Sequence, residues 1–464
     1  MHIALTGDEK PGQRRQSTCC CWPAVRGVLM LEGKLARPGK TWRRRITHTE
    51  GLAAGLLAAT VIMLNLLPDR RELRDPVTPV VTGSAPEFER TMLGLFGSNG
   101  VQGNSIDILR NGDEIFPAML DAIAFAESTI NFETYVYWTG DIAHEFAAAL
   151  TERAQAGVEV RVLLDWAGSL PMDTGLLDRM EDAGVEVLRF RPVRWYTLDR
   201  VNNRTHRKFL IVDGQVAFTG GVGISDEWQG TAANPDEWRD THYRITGPVV
   251  AELQGGFVSN WVEDTGELLQ GARFFPALER TGEITAQLVL SSTGSRNYMH
   301  MMLMTAIASA EQHIRITTPY FVPDDVAIAQ LLQARDRGVE VDIIAPGEHM
   351  SKEVVRNASR HFWGPLLDAG VRIHEFEPTF MHAKLLIVDD VFTSVGSTNF
   401  DERSFRLNDE ANLNVFDQGF AEDHIAIFNA DLERARRISL EEWQNRPLQK
   451  RASDWVWSWL RAQF

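Results

Sequence analysis

Two stretches of this 464-residue chain repeat the same order of elements, and this repeat constrains the fold more than any other feature. In each, an apolar strand (130–138 or 314–321) precedes a helix with apolar spacing, and Gly157 or Gly338 then leads into a second apolar strand. Such strands are typical of α/β proteins whose sheets are covered on both faces. Because the glycines lie 181 residues apart, each copy is as large as a domain. The repeat therefore predicts a duplicated α/β fold.

The copies match most closely in two His-x-Lys segments. In both, Lys follows His by two positions, Asp follows by seven, and two small residues follow by fourteen and fifteen. A His and a Lys two positions apart on a strand face the same way. One such segment is usually incidental, but two at equivalent places in a duplicated domain indicate a catalytic site. The candidate catalytic residues are His206, Lys208 and Asp213 in the first copy and His382, Lys384 and Asp389 in the second.

Each segment is predicted to form a β-hairpin, because apolar runs flank the turn pairs Asp213-Gly214 and Asp389-Asp390. An aspartate in such a turn more often has a structural role than a catalytic one. Pairing across the turns places a residue with little or no side chain opposite each histidine, which would leave room for a substrate group. These pairs are Gly221 with His206 and Ser397 with His382.

Paired histidines and lysines suit the chemistry of a phosphate ester. One neutral imidazole attacks phosphorus and forms a phosphohistidine, while the other, protonated, supplies a proton to the leaving alkoxide. The lysines stabilise the charge that builds on the phosphoryl oxygens. A lysine beside each histidine repels a cation, and the carboxylates do not cluster at ligand spacing, so we expect no metal and no other cofactor.

These segments resemble the paired HxKxxxxD motifs of the phospholipase D superfamily, and the chain is most similar to bacterial cardiolipin synthases of the phospholipase D type. The resemblance extends over residues 104–450 and implies two phospholipase D-like α/β/α domains with one active site at their interface. Further matching segments are Gly220-Gly221 with Asp226-Glu227, 238–242, 378–382, 396–404 and 405–410.

The resemblance also implies roles for individual residues. His206 would be the nucleophile and His382 the general acid and base, and Asn399 would bind phosphate with Ser397 nearby. Gly223 occupies the position equivalent to Asn399 in the first copy, where such enzymes usually carry Asn. The two half-sites are therefore expected to be unequal, and the reverse order of the histidines stays open.

A carboxylate is expected beside each histidine. The resemblance implies that Glu410 hydrogen-bonds and orients His382. Its counterpart in the first copy would be Asp240, although Glu237 lies close enough in sequence to compete.

An uncharged and almost wholly apolar run, GLAAGLLAATVIMLNLL, occupies residues 51–67 and predicts a short transmembrane anchor. Ten Lys and Arg residues precede it, which places the N-terminus in the cytoplasm and the body outside the inner membrane of a bacterial cell. A buried core helix and a cleaved signal peptide are alternatives, and translation could start at Met1 or Met30. The three cysteines, Cys19 to Cys21, lie in the leader, so the body has no disulfide framework.

The rest of the chain is acidic. Residues 1–75 hold 13 basic and 7 acidic side chains, whereas 76–464 hold 34 basic and 56 acidic ones. Such a body repels a polyanion, so no nucleic-acid partner is expected. Locally, seven basic residues against one acid lie between Arg189 and Lys208, which favours a docking edge for a lipid headgroup over a solvated loop.

Tryptophans alternate with basic residues in the C-terminal tail, where Trp455 and Trp459 would share one helix face. The composition fits a segment lying on a lipid surface, and a helix docked on the body is an equal alternative. The expected organisation is a leader (1–50), an anchor (51–67), a linker (68–103), a first domain (104–270), a linker (271–292), a second domain (293–437) and the tail (438–464).

These features together predict a membrane-bound phosphatidyltransferase that joins two phosphatidylglycerol molecules and releases glycerol. A hydrolytic phospholipase D shares the same intermediate, and no single residue separates it from a synthase. A phosphodiesterase or nuclease, and a membrane scaffold whose site has decayed, are weaker alternatives. The sequence does not indicate the oligomeric state.

Overall fold

The polypeptide forms two halves, each built from the same series of strands and helices. The structure, a computed structural model, describes residues 60, 73–97, 100–194, 202–292 and 297–464. The first half contains α1 (Pro86–Leu95), β1 (Val101–Arg110), α2 (Asn111–Ala124), β2 (Thr129–Thr134), α3 (Asp141–Gln155), β3 (Glu159–Asp165), α4 (Thr174–Asp182), β4 (Glu186–Phe190), β5 (Arg204–Thr205), β6 (Phe209–Val212), β7 (Val216–Gly220), β8 (Thr241–Thr246) and α5 (Val250–Thr265).

The second half repeats this series and adds a C-terminal extension. It contains β9 (Ile284–Leu290), α6 (Tyr298–Ser309), β10 (His313–Thr317), α7 (Asp325–Asp336), β11 (Glu340–Pro346), α8 (Glu353–His361), α9 (Trp363–Asp368), β12 (Arg372–Phe376), β13 (Leu385–Val388), β14 (Phe392–Gly396), α10 (Glu402–Arg406), β15 (Asn408–Asp409), β16 (Ala411–Phe416), α11 (Gln418–Leu432), β17 (Ala435–Ile438), α12 (Leu440–Gln444) and α13 (Leu448–Ser458).

The strands of both halves join in one sheet of 15 strands. From the centre outwards the first half has the order β1-β8-β7-β6-β2-β3-β4, and the second has β9-β16-β14-β13-β10-β11-β12 with β17 at its edge. Strands β1 and β9 pair antiparallel and so join the halves. The outer strands β2, β3 and β4 are parallel, as are β10, β11 and β12. The same strand order in both halves confirms the predicted duplicated α/β fold.

Helices cover both faces of the sheet. One apolar cluster lies under α2, α3 and α4 in the first half, and another lies under α1, α6, α7 and α9 in the second. A third cluster is shared by the halves and includes Phe257 and Trp261 of α5 and Phe420 of α11. Because this shared core holds both halves, residues of the two copies can meet at one site.

Both segments expected as linkers contain ordered elements. Residues 68–103 include α1, whose Phe88 and Met92 are buried in the core of the second half because they recur at helical spacing. Residues 271–292 include β9, a central strand of the sheet. The predicted anchor, 51–67, lies outside the described residues except for Thr60. In the part of the chain that the structure describes, no helix is long and apolar enough to cross a membrane.

The two hairpins have the predicted turns but a register shifted by one residue. Both turn residues have positive φ, 54° and 63° at Asp213 and Gly214, as a type I′ turn requires. Gln215 N then donates to Val212 O, but the ladder pairs Val212 with Val216, which leaves Gln215 as a bulge. The second hairpin pairs Val388 with Phe392 in the same way. A bulge cannot be read from the turn letters, and its extra residue overturns the predicted opposition of the small residues and the histidines.

Candidate active site

A cavity of about 480 Å³ brings the two His-x-Lys segments together. His206 and Lys208 reach it from the first half, and His382 and Asn399 reach it from the second. Lys384 is buried directly behind His382. The fold therefore brings together two histidines that lie 176 positions apart in the sequence.

Each histidine is bound to a carboxylate of the other half. His206 Nδ1 lies 2.9 Å from Glu410 Oε2 and 3.0 Å from Oε1, and His382 Nδ1 lies 2.7 Å from Asp240 Oδ2. The expectation that Glu410 orients His382 was therefore wrong. A carboxylate at Nδ1 holds the proton on that nitrogen and leaves the Nε2 lone pair of a neutral ring free.

Backbone pairing between the halves causes this exchange. Strand β5 lies parallel to β15, and His206 N donates to Asp409 O at 2.8 Å, which places Glu410 beside the ring. The equivalent bridge joins Arg239 to Met381, and His382 N donates to Arg239 O at 2.7 Å. Each acid follows a residue that pairs across the interface, so it meets the histidine of the opposite copy.

The small residues after each hairpin make room for these acids and not for substrate. A Cβ atom on Gly221 would lie 2.1 Å from Asp240 Oδ1. At the equivalent position the Ser397 hydroxyl donates to Glu410 Oε2 at 2.5 Å. Glu237, the competing acid, instead accepts hydrogen bonds from Thr231 N and Ala233 N in its own loop. Of Asp240 and Glu237, it is thus Asp240 that binds a histidine.

The two motif aspartates stabilise the strands beside the hairpins. The Asp213 carboxylate accepts from the backbone N–H groups of Glu127, Ser128 and Thr129 at 2.7–2.9 Å. Asp389 makes the same three contacts in the second half, to residues 311–313. Neither aspartate lines the catalytic cavity. Their geometry therefore fits the structural role that the turn position predicts.

Lys208 and Lys384 each hydrogen-bond to the main chain of the histidine two positions before them. Lys208 Nζ donates to His206 O at 2.7 Å, and Lys384 Nζ donates to His382 O at 2.5 Å. Burial lowers the pKa of Lys208 to about 8 and that of Lys384 to about 7. At pH 7 Lys208 is therefore mostly protonated and Lys384 about half protonated.

Burial also lowers the pKa values of both histidines. It lowers the pKa of His206 to about 4, with Lys208 and Lys384 acting in the same direction against Glu410. The pKa of His382 falls to about 3 through burial and the charge of Lys384. Although burial alone would raise the pKa values of Asp240 and Glu410, the adjacent histidines and lysines hold both below the usual range. With no anion bound, both rings are therefore neutral at pH 7.

The sequence did not assign roles to the aromatic side chains around His382. The rings of Trp228 and Phe380 meet its imidazole edge-on, with centroids 5.1 and 5.4 Å away, and Trp238 lies at 5.8 Å. Trp228 Nε1 also donates to Asp240 Oδ2 at 2.9 Å. The similarity of 238–242 to the family motif was the only available signal for Trp238.

The half-sites differ at the predicted phosphate-binding position. Asn399 lines the cavity, and within the described residues its buried Oδ1 has no hydrogen-bond partner. A Cβ atom on Gly223 would lie 2.7 Å from Val136 Cβ and 3.3 Å from the Trp228 ring. An Asn side chain does not fit at residue 223 without rearrangement, so the amide of Asn399 has no equivalent there.

In the described part of the basic stretch before His206, several cations have partners within the protein. Arg191 pairs with Glu263 and Asp409, and Arg204 lies near Asp165. The Arg207 side chain is buried and donates to main-chain oxygens of residues 256 and 291. Residues 195–201 lie outside the described part of the chain. Arg191 and Arg204 thus lie beside acids and Arg207 binds main-chain oxygens, which the one-dimensional charge count could not show.

One group of possible metal ligands occurs among the described residues, formed by His313, Glu340 and Asp342. The Arg372 guanidinium donates hydrogen bonds to both carboxylates, at 2.7 Å to Glu340 and 2.5 Å to Asp342. None of the three residues lines the catalytic cavity. The guanidinium already supplies the positive charge that these carboxylates require.

Comparison with known proteins matches both halves to one family. The family model "Cardiolipin synthase, PLD-like domain" matches residues 119–232 and 303–432. Cardiolipin synthase 2 of Bacillus anthracis is 37% identical over 347 residues, covering 74% of this chain and 67% of that protein. Cardiolipin synthase 1 of the same organism is 33% identical over 459 residues, covering 94% and 87%. The crystal structure of phosphatidylserine synthase from Haemophilus influenzae Rd KW20 shares the fold, with a TM-score of 0.60 at 14% identity over 82% of this chain and 99% of that one.

Proposed function

The chain belongs to the family of phospholipase D-like cardiolipin synthases, and we propose that it transfers a phosphatidyl group from one phosphatidylglycerol to another through a phosphohistidine. The observation that carries this proposal is the crossed pair of imidazoles, His206 on Glu410 and His382 on Asp240, in one cavity. Each neutral ring keeps a free Nε2 lone pair that can attack phosphorus. The protonated forms of Lys208 and Lys384 can stabilise the charge on the phosphoryl oxygens.

The proposed reaction has two displacements at phosphorus. In the first, His206 Nε2 bonds to phosphorus, the bond to the glycerol oxygen breaks, and His382 gives that oxygen a proton. In the second, the hydroxyl of the acceptor gives its proton to His382 as its oxygen bonds to phosphorus and the phosphorus–nitrogen bond breaks. The bound phosphodiester places a negative charge between the rings, which favours the protonated form of His382.

An asymmetry between the half-sites supports His206 as the nucleophile. Lys384 Nζ lies 3.3 Å from His382 Nε2, so an ammonium group lies beside the lone pair that would have to attack. Both lysines donate to the carbonyl oxygen of their own histidine, but among the described residues Lys208 Nζ makes no such contact with a ring nitrogen of His206. Asn399 lies in the second half, where it would hold a phosphoryl oxygen.

We also propose that the enzyme works at the bacterial inner membrane, anchored by residues 51–67, with its body outside the cytoplasm. Helix α13 supports the proposal that the membrane surface lies beside the site. Trp455 and Trp459 are 50% and 72% exposed and lie on one face, with ring centroids 4.8 Å apart. Just beyond them, Gln463 and Phe464 line the catalytic cavity. Aromatic rings of this kind settle at the lipid headgroup level.

The decisive experiment supplies purified full-length protein with phosphatidylglycerol vesicles and follows the lipid products by mass spectrometry. Cardiolipin formed together with free glycerol is the expected result. Phosphatidic acid as the sole product would assign the protein to hydrolytic phospholipases D, and full activity in both His206→Ala and His382→Ala would refute the paired-histidine mechanism. A reporter fused after Phe464 should be active only outside the cytoplasm.

A further inference from the structure

Two further cations, Lys352 and Arg403, line the same cavity as the catalytic histidines. Both come from the second half, Lys352 immediately before α8 and Arg403 within α10. Neither belongs to the His-x-Lys motifs, and neither is needed to hold the phosphoryl group between the rings. Their presence in the wall of the cavity therefore requires a separate explanation.

The Arg403 guanidinium hydrogen-bonds to uncharged groups. Its guanidinium donates to Asn202 Oδ1 and Asn202 O, both at 2.8 Å, and to Gln463 O at 3.4 Å. These contacts fix the direction of the side chain but do not neutralise it. An anion entering the cavity would thus meet a rigidly placed positive charge.

Lys352 adds a second positive charge close to the first. Burial lowers the pKa of its ammonium, and the charge of Arg403 acts in the same direction. Two cations that repel each other inside one cavity are stabilised when an anion lies between them. The adjacent acid, Asp401, caps α10 by accepting from Ser404 N at 2.7 Å, and its charge acts in the opposite direction on the pKa of Lys352. This single carboxylate offsets only one of the two positive charges.

We propose that Lys352 and Arg403 bind the phosphate of the acceptor phosphatidylglycerol while the histidines hold the phosphoryl group being transferred. This inference rests on the proposed function, since cardiolipin carries two phosphates joined through one glycerol. A water molecule makes no use of such a subsite. Holding the acceptor by its phosphate raises the effective concentration of its hydroxyl at the phosphohistidine. The subsite thus determines the preference for a lipid alcohol over water.

The test measures acceptor choice in one reaction mixture. Full-length protein receives phosphatidylglycerol vesicles as donor, with labelled glycerol and labelled glycerol 3-phosphate at equal concentration as competing acceptors. The wild-type protein should favour the phosphate-bearing alcohol, giving more phosphatidylglycerophosphate than labelled phosphatidylglycerol. Lys352→Met should lower this product ratio at least tenfold, and should lower the ratio of cardiolipin to phosphatidic acid in the same direction. Lys352→Arg should restore both ratios because it keeps the charge.

Arg280→Met is the matched control, since Arg280 is an exposed cation paired with Glu283 outside the cavity. Lys352 is the better test position, because Arg403 also holds Asn202 and Gln463. Unchanged product ratios in Lys352→Met, with wild-type transfer intact, would overturn the subsite. A wild-type protein that forms no cardiolipin and transfers to neither alcohol would instead overturn the proposed function, so the two failures are distinguishable.

Discussion

His206 Nδ1 lies 2.9 Å from Glu410 Oε2, across the interface between the two copies of the repeat. The equivalent contact joins His382 to Asp240 in the opposite direction. Neither copy therefore contains a complete catalytic unit, because each histidine depends on the other half for the group that sets its tautomer. The duplication and the crossed strands that join its copies are requirements of the chemistry.

This crossing predicts different effects for two conservative substitutions. Glu410→Gln should slow formation of the phosphohistidine on His206. Asp240→Asn should impair proton transfer at His382 and so slow both formation and breakdown of the intermediate, which leaves labelled His206 detectable. Each should reduce turnover by about 10²–10⁴-fold, the usual contribution of such groups. Acid quenching with phosphate-labelled phosphatidylglycerol, followed by peptide mapping, measures the intermediate. Loss of labelling in Asp240→Asn alone would reverse the roles of the histidines.

The pH dependence of kcat/KM should be bell-shaped. His206 has to be neutral to attack, and its pKa of about 4 places the acid limb well below the ordinary histidine range. His382 becomes protonated when the phosphodiester is bound, so it does not set the alkaline limb. Lys384 is protonated below its pKa of about 7 and loses its charge as the pH rises through that value, which produces the alkaline limb. Lys384→Arg keeps its charge at all these pH values, so its alkaline limb should move upward. An alkaline limb that stays near pH 7 in Lys384→Arg would assign it to another group.

Asp213→Ala should affect stability and not chemistry. The substitution removes the acceptor for three backbone N–H groups, which should cost about 2–4 kcal/mol of unfolding free energy. Urea unfolding measures that loss, and turnover is compared per folded molecule below the transition. Wild-type stability combined with a large loss of turnover would show that Asp213 acts in catalysis.

Gly223→Ala should destabilise the protein by about 1–3 kcal/mol through overpacking, because its new Cβ would lie 2.7 Å from Val136 Cβ. Gly255→Ala is the matched control. Gly255 lies in α5 with nothing within 4 Å of the added atom, so alanine should stabilise that helix by up to about 1 kcal/mol. Thermal unfolding of both variants is the measurement. Equal effects of the two substitutions would contradict the tight contact around residue 223.

Trp455 and Trp459 should contact lipid in the membrane-bound protein. Full-length protein in vesicles that contain brominated phospholipid should lose a quenchable part of its tryptophan emission when both residues are replaced by Ala. Replacing Trp363, which is buried in the core, with Phe serves as the control and should leave the quenched part unchanged. Equal quenching with and without the exposed pair would place α13 away from the bilayer.

Much of the fold and half of the site follow from local patterns. The repeated helix-glycine-strand order predicts the duplicated α/β sheet, and the two His-x-Lys pairs identify the reactive side chains, because both signals depend on spacing along a few adjacent residues. The turn residues Asp213 and Gly214 likewise predict a hairpin with positive φ at both positions. The bulge at Gln215 was missed, since one extra residue leaves no trace in an apolar strand.

The sequence by itself determined which candidate side chains lie together, because a His and a Lys two positions apart on a strand face the same way. Only the tertiary structure decided which acid serves which histidine. Asp240 follows His206 by 34 positions and Glu410 follows His382 by 28, so spacing alone would pair each acid with the histidine of its own copy. The choice depends instead on pairing across the interface, such as that of β5 with β15. The cations Lys352 and Arg403 enter the cavity for the same reason. A contact between distant segments depends on how whole layers pack, and no local spacing encodes that.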